Sequence, residues 1–191
     1  ICGLTSEVTA HCEFGKYHDI EVEDEVTAYL RYPCGATGVF IGSTGEAPGV
    51  NRFDIIGDKG SLHFENAKVR LITNSQGTAE FNLTTDNMFG MPESTETVIE
   101  VTETVNQHAK VMSNFIGAIN NNTPLISPAE QGLASLDMAN AMLLSTWKKS
   151  AIHLPLDRAQ YQQVLDEKIA SSSLRTKSNE KVKIDMAASY R

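Results

Sequence analysis

Thr44, Glu46, Asn51 and Arg52 lie in one short stretch, with Gly45, Pro48 and Gly49 between them. A hydroxyl, a carboxylate, a carboxamide and a guanidinium together supply the donors and acceptors that a hydroxylated ligand needs. Glycine-jointed polar loops on rigid scaffolds are also where binding residues concentrate. Arg52 stands beside an apolar run, so its guanidinium needs an acceptor, either Glu46 or a ligand oxygen. His18 is the one histidine in a polar, breaker-flanked loop, beside Lys16, Tyr17 and Asp19. A solvated loop has the same composition, so each of these residues carries that plainer reading next to the binding one.

Other chemistries find less support. His11, His18, His63, His108 and His153 occupy five different elements, with no pair at i+2 to i+4 and no cysteine or acid at ligand spacing beside them. A metal centre is therefore not expected. Cys12 falls on the apolar side of its segment and Cys34 in a turn, without a cation or helix N-terminus to lower the thiol pKa. His108, on the apolar stripe of a helix, reads as a core or boundary histidine. The chain contains no GxSxG, GxxxxGK[ST] or GxGxxG, and the 57–60 glycine pair precedes a strand, so it cannot place a pyrophosphate on a helix N-terminus.

The candidate loop must be held by the strands on either side of it, residues 36–43 and 52–57. Asp58-Lys59-Gly60 then predicts a primed hairpin turn. Upstream, Val8, Ala10, Cys12 and Phe14 alternate with polar residues, and so do Val26, Ala28, Leu30 and Tyr32, giving two half-buried strands. Residues 1–5 read as a helix tail closed by Gly3. Downstream, strands are expected at 62–65, 69–73, 79–84 and 97–102, with a long loop at 85–94. Helical periodicity begins only later. Met112, Phe115, Ile116 and Ile119 make one stripe ended by Asn120 to Asn122, and Ser127-Pro128 with Glu130 predicts a capping box for a second helix. Its expected apolar face runs from Leu133 and Leu136 to Leu144 and Trp147. Asp157 caps a third helix striped by Tyr161, Leu165 and Ile169.

Strands first and helices afterwards predict an α+β fold: one large, antiparallel-rich open sheet of about seven or eight strands with helices packed on one face. The open face would carry Thr9, His11, Thr27, Tyr29, Arg31 and Phe40. Aromatic groups among polar ones suit a homo-oligomer interface.

With 191 residues the chain suits one domain followed by a C-terminal tail. A formal net charge of -8 argues against nucleic acid as a partner, and no apolar run reaches membrane-spanning length. Three cysteines without CxxC spacing suit a reducing, cytoplasmic setting. The chain begins at Ile1 without a methionine, so the true N-terminus is expected to lie upstream.

Three stretches resemble the C-terminal domain of the Gfo/Idh/MocA oxidoreductases: GATGVFIGSTGE with NRFDIIGDKGSLHFEN, then HAKVMSNFIGAINNNTPLISPAEQGLASLDMANAM, and IHLPLDRAQY. The resemblance covers residues 1–172, leaving 173–191 as the tail. It implies the C-terminal half of a glyceraldehyde-3-phosphate-dehydrogenase-like fold, a sugar or polyol substrate, and NAD or NADP in the full-length parent. The family's Rossmann domain, its Glu-Lys-Pro lysine and its Asp and His on a Gly-x3-Asp-x3-His motif have no counterpart here. The expectation is a substrate-binding and oligomerisation domain that neither binds a nicotinamide nor transfers hydride alone. Thr44, Glu46, Asn51, Arg52 and His18 would form its substrate wall, and pairing would run through the open sheet face. The alternative is a stand-alone scaffold that uses that face for a partner.

Overall fold

The computed structural model describes residues 3–66, 68–100 and 106–173. The elements, in chain order, are Glu7–Phe14 (β1), Glu23–Arg31 (β2), Thr37–Ser43 (β3), Arg52–Gly57 (β4), Gly60–Glu65 (β5), Lys68–Asn74 (β6), Thr78–Thr84 (α1), Ser94–Glu100 (β7), Gln107–Asn121 (α2), Ala129–Lys148 (α3), Ile152–His153 (β8) and Arg158–Ser171 (α4). The fold is α+β, as expected. The eight strands, however, divide into two four-stranded antiparallel sheets, β3-β2-β1-β8 and β4-β5-β6-β7, where one was expected. The chain correspondingly forms two compact units: residues up to Gly45 with those from Pro128, and Glu46–Ser127.

In the first unit β1 and β2 pair from Glu7↔Arg31 onward, which puts Val8, Ala10, Cys12, Ala28 and Leu30 on one face. That face packs with Ala141, Met142 and Leu144 of α3, and with Ile152 and Leu156. Leu144 and Val8 are wholly buried, and each such side chain stabilises the unit by about 1.5–3 kcal/mol. Only the C-terminal half of the apolar face expected on α3 is used, since Leu133 and Leu136 remain exposed. Trp147 stacks between Phe14 and Tyr161, with ring centroids 6.4 and 6.0 Å away.

β8 pairs with β1 only at Glu7 and Val8, so beyond Val8 the edge of β1 would be bare. Helix α3 closes it. Ser145 Oγ accepts the Ala10 N–H at 3.0 Å and donates to Ser150 O at 2.7 Å. Thr146 Oγ1 accepts the Cys12 N–H at 2.9 Å. Two hydroxyls thus satisfy the strand's outward donors. Asp157 caps α4 as expected, accepting the Gln160 N–H at 3.0 Å. The capping box of α3 does not form: Pro128 takes the N-cap position, so Ser127 lies one residue too early to bond the first turn. Of the α4 stripe, Tyr161 packs on the core while Ile169 is exposed.

The faces of the first sheet follow from register. Tyr29 pairs with Val39 and Thr27 with Ile41, so these share the open face with Thr9, His11 and Arg31. Phe40 pairs with Ala28 and therefore points to the opposite, core side, which corrects the expectation for that residue. Val39 and Ile41, 65% and 66% exposed, are the large apolar groups of the open face beside Tyr29.

In the second unit Gly57 pairs with Gly60 across a two-residue turn. Positive φ falls at Gly60 (+137°) and not at Asp58 or Lys59, so the turn is not of the primed type. A Cβ on Gly60 would collide with Ile72 O, which explains the glycine there. Residues 79–84, expected as a strand, are helical. Asp58 Oδ1 accepts the Ala79 N–H at 2.8 Å and Asp58 O the Thr78 N–H at 2.9 Å, so a residue distant in sequence caps this helix and overrides its alternating pattern. Helix α2 is capped by Asn106, stops at left-handed Asn122, and leaves Met112, Phe115, Ile116 and Ile119 exposed. His108, expected at a core boundary, is also exposed. Residues 3–5 of the expected helix tail form no helix, although Gly3 does take the left-handed φ of +78° expected of a cap. The first two residues, Cys2 among them, the end of the strand at 97–102 and nearly all of the 173–191 tail lie outside the described residues.

Candidate substrate-facing site

The expected loop divides between the two units: Thr44 and His18 belong to the first, and Glu46, Asn51 and Arg52 to the second. In the first unit the β1–β2 loop is built on Asp24, a carboxylate only 3% exposed. It accepts the N–H groups of Lys16, Tyr17 and His18 at 3.0, 2.7 and 3.1 Å. Burial disfavours its charge, but these three backbone donors with the His18 side chain outweigh that and hold its carboxyl below the ordinary range. The Thr44 N–H reaches Asp24 O at 2.9 Å, and Thr44 Oγ1 lies 3.4 Å from His18 Nδ1. His18 and Thr44 are therefore brought together on a shared buried anchor. Nearby, Glu25 takes Lys16 Nζ at 2.7 Å and the Tyr17 hydroxyl at 2.6 Å, which depress its carboxyl pKa.

In the second unit Arg52 finds its acceptor in Asp54, two residues along the same strand, with Nε 3.1 Å from Oδ2. Glu46, the acceptor suggested by the sequence, makes no side-chain bond to another described residue, and the same holds for Asn51; both are exposed. Asp54 Oδ1 is 2.7 Å from His63 Nδ1, and His63 Nε2 is 2.8 Å from Ser61 Oγ. A carboxylate can only accept, so His63 Nδ1 carries the proton toward Asp54, and in the neutral ring Nε2 accepts the Ser61 hydroxyl. Asp54, His63 and Ser61 form one hydrogen-bonded line on one face of the β4–β5 hairpin, and Arg52 joins it through an ion pair with Asp54.

Sequence reading missed Asp24, Asp54, Ser61 and His63. The signal for the last three was present. Asp54 and His63 stand equidistant from the turn, pair across the hairpin, and share a face with Arg52 and Ser61 by the two-residue period. Testing histidines only for neighbours along the chain overlooked partners across a hairpin. Asp24 gave less warning, because an acid in a charged segment does not reveal that its own loop will fold over it. Among the described residues no cluster of three or more histidine, cysteine or acidic groups could hold a metal ion, and no helix is long and apolar enough to cross a membrane. Cys12 is buried, which pushes its thiol pKa up.

A family model described as "Oxidoreductase family, C-terminal alpha/beta domain" matches residues 1–154. No curated protein matches the sequence significantly. Among solved structures, aldose-aldose oxidoreductase from Caulobacter crescentus, complexed with glycerol, superposes with a TM-score of 0.58 at 18% identity, covering 79% of this chain and 42% of that one. Biliverdin reductase from Synechocystis sp. PCC 6803, in complex with biliverdin and NADP+, gives 0.56 at 23% identity over 75% of this chain and 40% of that one. Levoglucosan dehydrogenase, in complex with NADH and L-sorbose, gives 0.57 at 18% identity over 81% and 46%. At these identities the likeness is one of fold, and the chain spans less than half the length of each of these structures. The chain belongs to the Gfo/Idh/MocA oxidoreductases, matching their C-terminal alpha/beta domain.

Proposed function

We propose that this chain is the substrate-binding and oligomerisation part of an NAD(P)-dependent sugar or polyol dehydrogenase in the cytoplasm. The nucleotide and the hydride-transfer groups would be supplied by a Rossmann portion outside this sequence. The family match over residues 1–154 carries the reading. The ligands named for similar structures, NADH with L-sorbose and NADP+ with biliverdin, agree with a nicotinamide enzyme and favour a sugar without requiring one.

Two features of the chain's own elements support that division of labour. Every strand pairing among the described residues is antiparallel. The helix that follows a strand through a glycine, α1, has its first turn already taken by the Asp58 carboxylate. Pyrophosphate binding needs those N–H groups unoccupied. His18, Thr44, Glu46, Asn51 and Arg52 would instead orient hydroxyls, so that the reacting carbon faces a nicotinamide held elsewhere.

Calorimetry of the 191-residue chain with NAD+ and NADP+ tests the division of labour: no binding is expected, and micromolar affinity would overturn it. Self-association would run through the open face of the first sheet, where Tyr29, Val39 and Ile41 are exposed among polar residues. Val39→Glu with Ile41→Glu is expected to yield monomers by sedimentation with an unchanged circular dichroism spectrum. An unchanged oligomer would refute that interface.

A further inference from the structure

Arg52 is a cation at the edge of the candidate loop, paired through the inner nitrogen of its guanidinium. Its Nε forms an ion pair with Asp54 at 3.1 Å, while neither terminal nitrogen hydrogen-bonds to another described residue, and the side chain is 61% exposed. Glu65, its cross-strand neighbour and the nearest alternative anion by register, makes no bond to it. Asp54 is fixed in turn by His63, and His63 by Ser61. Asp54, itself hydrogen-bonded to His63, thus pairs with the guanidinium at its inner nitrogen and leaves its outer fork of N–H groups free of hydrogen bonds to the described residues.

A fork of two parallel N–H groups matches the two oxygens of a carboxylate, whose charge makes both bonds stronger than those to the hydroxyls of a neutral sugar. We propose that Arg52 is a carboxylate-recognising group and that the substrate is a sugar acid. Asp54, His63 and Ser61 act as its positioning residues. The inference rests on the reading of the 44–52 loop as a substrate wall and narrows it from sugars in general to anionic ones. The brace also limits competition: Asp54 has one oxygen on Arg52 and the other on His63, so its charge is engaged before a ligand arrives. The entropic cost of ordering a long, mobile side chain is thereby met before binding.

The test titrates the 191-residue chain with sodium D-glucuronate, D-glucose and sodium acetate at matched ionic strength, following the Arg52 Nε–Hε signal by NMR. Glucuronate differs from glucose only in bearing a carboxylate at C6. It is expected to bind about tenfold more tightly than glucose, the scale of one charge-assisted pair against a neutral one, and to shift the Arg52 signal. Arg52→Ala is expected to abolish the preference. Asp54→Asn is expected to reduce the preference with an unchanged circular dichroism spectrum, which a general loss of structure would not allow. Equal affinity for the two sugars overturns the inference and leaves the sugar reading standing. Acetate binding as tightly as glucuronate also overturns it, because the sugar ring would then contribute nothing. Failure of both sugars to bind at high millimolar concentration overturns the substrate-wall reading and the inference with it.

Discussion

Replacing Ser145 by alanine removes one oxygen from the middle of α3 and tests how the edge of β1 is held. In the intact chain that oxygen accepts the Ala10 N–H at 3.0 Å and donates to Ser150 O at 2.7 Å. Ala10 is 2% exposed and Ser145 1%, whereas Ser150 is exposed. The Ser150 carbonyl can therefore turn to water, while the Ala10 N–H is left without a partner. A buried donor so orphaned costs about 1–3 kcal/mol, and this is the expected loss of stability. Thr146→Val keeps the volume and removes the acceptor of the Cys12 N–H, with a similar effect expected. Because Thr146 also reaches Ala10 O at 3.2 Å, the two changes should not add. Trp147, the only tryptophan, lies between Phe14 and Tyr161, so its fluorescence during urea unfolding reports on this unit alone. Amide exchange at Ala10 supplies the local measurement. Stability within about 0.5 kcal/mol of the parent, together with unchanged protection of Ala10, would show that the hydroxyls do not hold the edge.

Asp24 predicts an acid limit to the first unit. Its folded pKa is depressed, so its stabilisation is complete above the ordinary carboxylate value of about 4 and disappears as pH falls through the lower folded value. Trp147 fluorescence of the parent should show stability falling over that interval, Asp24→Asn should flatten the dependence, and parallel curves for the two would refute the assignment. Gly60→Ala places a side chain at φ +137° and into Ile72 O, and should cost more than about 1 kcal/mol. Loss of the cross-strand contact between Asp54 and His63 by NMR would accompany it, and a chain as stable as the parent would contradict the geometry.

The alternation of Val8, Ala10 and Cys12 against Thr9 and His11 was readable because a half-buried strand imposes a period of two, and the Asp157 cap was readable because its partner is three residues away. Residues 79–84 have the same alternation and fold as a helix, since the deciding contact comes from Asp58 in a different hairpin. The face of Phe40 depends on which residue opposes it in β2, and no local pattern carries that register. The candidate loop was chosen by its composition, and Arg52 does have an acceptor, as its place beside an apolar strand required. That acceptor, with the two residues bracing it, became visible only once the β4–β5 pairing was known.

The hydroxyls that α3 lays along β1 have a consequence for assembly. A polypeptide arriving in extended form finds no vacant hydrogen-bond ladder at Ala10 and Cys12, so the first sheet cannot lengthen in that direction by recruiting another chain. Open-ended stacking by strand addition at that edge is thereby blocked without a proline on the strand itself.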